Sequence, residues 1–318
     1  MKKILISVAI MFVSGALHAQ SGYPNKPITL VVPYPVGGSN DVFARLIAKS
    51  LGEALKVAVV VDNRPGASGT TGTLQVSKAA PDGYTLLAVS SSMTTNAAIQ
   101  EKSGFDPTKN LTAIAMLAKG PFIVAVNDSF PAKDPKQLVA LLKANPGKYN
   151  YASSGTGSSN QFATELMKVM SGTFALHIPY RGMGPAVTDL IGGQTQILLA
   201  SGPSLLPQVR NGRIRAIGIT SLKPSPIAPE LIPMATAIPG YEFELWWGIL
   251  APPGVPSEIV SLLNSQINKI LNLPETKAAF LREGAETYPE TPAQFASRIS
   301  GDILRWKNIA KRQNITAE

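Results

Sequence analysis

ITLVVPYPVGGSNDVFARLIAKSLGEAL, residues 28–55, divides into three parts. Residues 28–34 form a β-branched, apolar run that stops at Pro35, as a buried strand does. Over 41–55, Val42, Phe43, Leu46, Ile47, Leu51 and Leu55 recur at helical spacing. Between them lies Pro33-Tyr34-Pro35-Val36-Gly37-Gly38-Ser39-Asn40-Asp41, a tight loop joining strand to helix. Two glycines let the backbone approach a ligand, and the helix start aims free N–H groups and a positive dipole at it, so an anion is the natural guest. The same residues also suit a plain turn with Ser39 or Asn40 as cap, and the motif alone leaves both readings open.

The strand–helix alternation continues outward. A second strand is expected over 57–61, a helix over 69–79 and a third strand over 84–89 after the turn Pro81-Asp82-Gly83. A second unit follows, with strands over 122–126, 149–152, 178–180, 196–200 and 215–220. Its helices are expected over 135–144, 161–171, 185–192 and 204–211. The Pro-rich segment 223–239 marks a boundary. Beyond it come a strand over 244–250 and helices over 256–271, 274–283 and 292–312, which need a sheet to cover and are expected to return to the first unit. Alternation of this length predicts an α/β fold.

Length and composition bound the rest. A chain of 318 residues exceeds what one core usually covers and favours two lobes. Lys2 and Lys3, the apolar run 4–17 and small Ala19 have the layout of a secretory signal peptide over 1–19. The run is short of the ~20 residues a spanning helix needs. The expected location is the periplasm. There is no Cys, so disulfides and thiolate chemistry are excluded. A formal charge of +9 raises the question of nucleic acid. The Lys and Arg are scattered and not interleaved with aromatics, which favours a modest field for anionic solutes and no nucleic acid.

A second glycine-rich loop, Tyr151-Ala152-Ser153-Ser154-Gly155-Thr156-Gly157-Ser158-Ser159-Asn160, again lies between strand and helix. It matches a dinucleotide fingerprint only at Gly155 and Gly157, and no Gly-Lys-Ser or Gly-Lys-Thr follows, so no cofactor is expected. Past the leader the one His is His177, there is no Gly-x-Ser-x-Gly elbow, and no cluster has metal-ligand spacing. Asp41 and Asp189 read as caps or surface groups rather than a catalytic pair. Trp246 and Trp247 are adjacent on a strand and face opposite sides, so one of them is a candidate for lining a cleft. Tyr180 and Arg181 end another strand, and Arg181 suits either a carboxylate ligand or a surface ion pair.

Several spaced motifs together resemble one family. They are Tyr23-Pro24-x-x-Pro27-Ile28, Val36-Gly37-Gly38-x-x-Asp41-x-x-Ala44-Arg45, Asn63-Arg64-Pro65-Gly66-Ala67-x-Gly69 and Pro81-Asp82-Gly83-Tyr84-Thr85-Leu86-Leu87. The series continues with Tyr151-Ala152-Ser153-Ser154-Gly155-x-Gly157-Ser158, His177-x-Pro179-Tyr180-Arg181-Gly182 and Pro185-Ala186-x-x-Asp189-Leu190-x-x-Gly193-Gln194. The chain is similar, from Tyr23 nearly to its C-terminus, to the periplasmic substrate-binding proteins of tripartite tricarboxylate transporters, the Bug receptors.

The resemblance implies a two-lobed periplasmic binding protein of type II-like flytrap form, with a central mixed sheet in each lobe. Lobe one would take 20–122 plus 222–318 and lobe two 123–221. It implies a ligand held by backbone amides, hydroxyls and water. Tyr34, Val36, Gly37, Gly38 and Ser39, with Ser90 and Ser91, would come from one lobe; Ser154, Thr156, Gly157, Ser158, Tyr180 and Arg181 would come from the other. The chain departs from the pattern of many relatives, which carry His at the position of Asn160 and Asp where this chain has Ala200-Ser201. Without that acid to receive an amino group, a dicarboxylate, aliphatic or aromatic, is expected over an amino acid.

The leading function is capture of a small carboxylate by a monomer that hands it to the membrane permease components of a tripartite transporter. An extracytoplasmic sensor subunit for a signalling kinase is the alternative, and a hydrolase using a Ser from 153–159 ranks below both.

Overall fold

The computed structural model describes residues 22–100 and 105–316. The expected signal peptide lies outside the described residues. The strands are β1 (Ile28–Val32), β2 (Val59–Asn63), β3 (Thr85–Ser90), β4 (Thr112–Pro121), β5 (Ile123–Asn127), β6 (Asn150–Ser153), β7 (Leu176–Pro179), β8 (Ile197–Ala200), β9 (Ile214–Ile219), β10 (Glu244–Ala251) and β11 (Glu286–Thr287). The helices are α1 (Ser39–Leu55), α2 (Thr70–Ser77), α3 (Ser92–Ile99), α4 (Pro107–Asn110), α5 (Pro135–Ala144), α6 (Ser159–Ser171), α7 (Met183–Ile191), α8 (Gly202–Arg210), α9 (Ser257–Leu271), α10 (Pro274–Arg282) and α11 (Pro292–Gln313).

Two mixed sheets organise the chain. One runs β11-β4-β10-β3-β1-β2 and the other β7-β6-β8-β5-β9. In the first, β1 pairs parallel with β2 and β3, whereas β10 runs antiparallel between β3 and β4. In the second, β6 pairs parallel with β7 and β8, and β5 antiparallel with β8 and β9. This is the α/β, two-lobed fold expected, with a mixed sheet in each lobe. Strands covered on both faces read as nearly continuous apolar runs: β5 (IVAVN) and β8 (ILLA) are buried throughout. Helices α9 and α11 pack on β4, and α10 on β11.

The chain passes between the sheets at Phe122, from β4 directly into β5, and returns between β9 and β10. Phe122 stacks on Phe243 across the two passages, rings 5.4 Å apart and 8° from parallel. An apolar stack here fixes the crossing strands against each other while leaving the sheets as separate bodies.

Sequence periodicity missed β4, β11, α3 and α4. β2 runs two residues later than expected, Val59–Asn63. No described helix is long and apolar enough to cross a membrane.

Candidate functional site

Both glycine-rich loops open on the face where the two sheets meet, and a cavity of about 450 Å³ lies between them. The β1–α1 loop supplies Tyr34 through Asn40 to its wall; β3 and α3 supply Ser90 and Ser92; the β6–α6 loop supplies Ser154 and Asn160. The rest of the wall comes from the N-terminal ends and inner faces of α7 and α8, from Ser201, and from Arg213, Phe122 and Leu245.

The β1–α1 loop is held by a buried carboxylate. Asp41 is 3 % exposed, accepts the Gly37 N–H at 3.0 Å and Asn63 Nδ2 at 3.0 Å, and pairs with Arg45 at 2.9 Å. Asn63 Nδ2 also reaches the carbonyl of Tyr34 at 3.1 Å. Burial raises the Asp41 carboxyl, but the bonds from Arg45, Gly37 and Asn63 and the charge of Arg45 outweigh it and hold it below the usual carboxylate range. Asp41 is therefore neither a surface group nor a ligand-facing acid; it shapes the loop. Gly37 adopts φ +85°, which a side chain at that position would strain. Ser39 is tied from below, its Oγ accepting Trp247 Nε1 at 3.1 Å.

Three helices start at the cavity without a side-chain cap. The caps of α1, α7 and α8 are Gly38, Gly182 and Ser201, and none carries a side-chain hydrogen bond to the first turn. The first-turn N–H groups of α1 and those of Met183 and Gly184 in α7 have no side-chain cap, whereas in α8 Pro203 has no N–H and the Ser204 N–H is spent on the Ser201 carbonyl. Among the described residues lining the cavity there is no Asp or Glu, and Arg213 supplies the cationic side chain. Burial pushes the Tyr34 phenol up, partly offset by Ser92 and Ser90, so Tyr34 stays a protonated donor. The chemistry of this surface is that of an anion receptor.

Of the residues singled out from sequence, Tyr34, Val36, Gly37, Gly38, Ser39, Ser90, Ser154, Asn160 and Ser201 line the cavity together. Asn160 is itself braced, accepting Ser154 Oγ at 2.8 Å and donating to the Leu199 carbonyl at 2.6 Å.

The others fall outside it. Arg181 is exposed and away from the cavity. Tyr180 gives its hydroxyl to Asp189 at 2.7 Å, and burial together with that carboxylate pushes its phenol up to about 12. Ala200 is fully buried in the strand, since it points into the core beside β5. Ser91 faces Ser159 at 3.3 Å, and Ser158 caps α6 by accepting from Gln161 N. Thr156 and Gly157 meet the other lobe: Ser68 Oγ donates to the Thr156 carbonyl at 3.2 Å, and a Cβ on Gly157 would stand 2.7 Å from Ile99. Trp246 and Trp247 are both buried, and neither lines the cavity.

Sequence reading missed Ser92, Arg213, and the walls from α7 and α8. Their signal is periodic: Val187, Thr188 and Ile191 recur at helical spacing, as do Ser204, Pro207 and Gln208. His177 lies 2.6 Å from Ser153 Oγ, but Ser153 is fully buried and does not line the cavity, so the pair presents no nucleophile there. Among the described residues no group of three or more His, Cys, Asp or Glu is placed to hold a metal.

The chain matches the family model of the tripartite tricarboxylate transporter family receptor over residues 43–315. Protein BugT of Bordetella pertussis (strain Tohama I) is 33% identical over 98% of this chain and 97% of its own. Among solved structures, R. palustris Rpa4515 with adipate superposes with a TM-score of 0.89 at 32% identity, covering 92% of this chain and 99% of that one. MatC (Rpa3494) from Rhodopseudomonas palustris with bound malate gives 0.83 at 28% identity, covering 90% and 99%. With a family match over most of its length and a full-length relative one-third identical, this chain belongs to the tripartite tricarboxylate transporter family receptors.

Proposed function

We propose that the protein is a periplasmic solute-binding protein that captures a small carboxylate, dicarboxylates foremost, in the cleft between its lobes and passes it to the membrane permease components of a tripartite transporter. The observation that carries this reading is the convergence of the uncapped starts of α1, α7 and α8 on one cavity whose described lining holds no acid. A carboxylate completes the free N–H groups at the starts of α1 and α7 and meets the positive ends of helices that begin at the cavity. The adipate and malate bound by Rpa4515 and MatC support the ligand class.

Binding residues in this reading are the backbone N–H groups of Gly38 and Ser39, the hydroxyls of Tyr34, Ser90, Ser154 and Ser201, and the amide of Asn160, with Gly37, Val36 and their loop shaped by Asp41. The lobes are taken as 20–122 plus 222–318 and 123–221. Closure follows from tighter binding to the closed form, in which both loops reach the ligand.

The test is thermal unfolding of the protein, freed of residues 1–19, against a panel of mono- and dicarboxylates. A ligand that binds only the folded state raises the melting temperature by mass action. A rise with a carboxylate, absent with the matching amide, supports the proposal. A panel without any rise overturns it.

A further inference from the structure

The cavity does not end at the helix starts. It continues along one face of α8, through Ser204, Pro207 and Gln208, opposite one face of α7, through Val187, Thr188 and Ile191. Arg213 lines it beyond the C-terminal end of α8. With nine residues, α8 is about 13 Å long at 1.5 Å per residue. The cavity is thus an elongated slot with uncapped N–H groups at one end, a middle where Val187, Ile191 and Pro207 alternate with Thr188, Ser204 and Gln208, and a guanidinium toward the other.

Two observations describe the far end. Arg213 is exposed and, among the described residues, forms no ion pair with a carboxylate, so its guanidinium is available to a ligand. The Gln208 side-chain oxygen is buried without a hydrogen-bond partner. A buried amide oxygen left unpaired is unfavourable, and being an acceptor it is satisfied by a water that the ligand brings in and not by a carboxylate itself.

We infer that Arg213, with Gln208 beside it, forms a second anion seat that selects dicarboxylates whose two carboxylates are spaced by an apolar chain or ring. The inference rests on the proposed carboxylate capture and adds to it a specificity-determining residue and a length requirement. One carboxylate sits at the helix starts. The spacer lies against Val187, Ile191 and Pro207, and the far carboxylate takes the planar fork of Arg213. Succinate, with its short spacer, leaves Arg213 unpaired; adipate and suberate reach it.

The experiment is calorimetric titration of the wild type, Arg213→Ala and Arg213→Lys with succinate, adipate, suberate and hexanoate. The expected wild-type order places adipate or suberate above both succinate and hexanoate. Arg213→Ala should lose about tenfold or more for the long diacids, the worth of a charge-assisted hydrogen bond, and leave hexanoate unchanged. Arg213→Lys should recover part of the loss. An unchanged diacid preference in Arg213→Ala, or equal losses for diacid and monoacid, overturns the second seat while leaving carboxylate capture intact. A wild type that binds none of the four overturns both.

Discussion

The hydroxyl of Thr220 accepts the backbone N–H of Phe122 at 2.7 Å, so the two strands that pass between the lobes are joined to each other at their midpoint. The same hydroxyl donates to the Phe243 carbonyl at 2.6 Å, tying in the chain just before β10. Thr220 is fully buried, and valine matches its shape without its bonds. Thr220→Val leaves a buried donor and a buried acceptor unpaired and should cost about 2–3 kcal/mol in urea unfolding, whereas Thr220→Ser should lose well under half of that. Equal stability of the valine variant and the wild type would show that the crossing relies on the Phe122–Phe243 stack and on the backbone bonds from the Thr220 N–H to Phe122 and from the Phe243 N–H to Thr220.

Gly202 at the start of α8 abuts the end of α10. A Cβ there would stand 2.6 Å from the Glu283 carbonyl oxygen and 2.7 Å from the Gly284 Cα, both backbone atoms with little freedom to give. The contact joins elements packed on different sheets, so separation of the lobes relieves the clash. Gly202→Ala should therefore hold the cleft partly open. Overpacking of about 1–3 kcal/mol corresponds to roughly a five- to hundredfold loss of carboxylate affinity. Small-angle X-ray scattering is expected to show the compaction on adding ligand in the wild type and a reduced one in the variant. Full compaction with unchanged affinity would mean that this contact is not made in the ligand-bound form.

Which parts of this architecture were legible in the sequence follows from where local signals agree. Helix α5 falls on its expected bounds because Asp134 caps it, Pro135 opens it and its apolar residues keep one face. β4 escaped because AIAMLA is rich in alanine, a poor strand former, and its period separates neither state; its place between β10 and β11 decides it. Helix α3 is Ser-, Thr- and Asn-rich with no apolar face, and it is helical through packing on α11 and α6. The two loops of the site were visible as glycine motifs after strands, though not the contact of Thr156 and Gly157 with the other lobe. Arg213 was hidden because the face of α8 that leads to it is carried by prolines and polar residues, which no hydrophobic pattern marks.

Trp247 reaches the β1–α1 loop from the core. Its ring packs 4.6 Å from Phe43, and its indole N–H fixes the hydroxyl of Ser39 in the first turn of α1. Trp247→Phe keeps an aromatic ring in the core and frees Ser39. Stability should fall by about 1 kcal/mol for the lost hydrogen bond, and carboxylate affinity by several-fold as the loop loses its fixed geometry. A stability loss with no change in affinity would confine Trp247 to packing.

Asp41 makes the β1–α1 loop sensitive to acid. Its folded-state pKa lies below the ordinary carboxylate value, so its contribution is complete above the unfolded value of about 3.9 and is lost as the pH falls through the folded value. Asp41→Asn removes the charge that Arg45 and the Gly37 N–H share, and should cost about 1–3 kcal/mol at neutral pH. The difference between wild type and variant should hold from neutral pH down to about pH 4 and narrow below it, because the wild-type carboxyl then takes up the proton that the amide never binds. Urea unfolding of both proteins across that interval measures it. A gap that stays constant down to the acid limit would trace the loss to the geometry of the amide and not to the charge of Asp41.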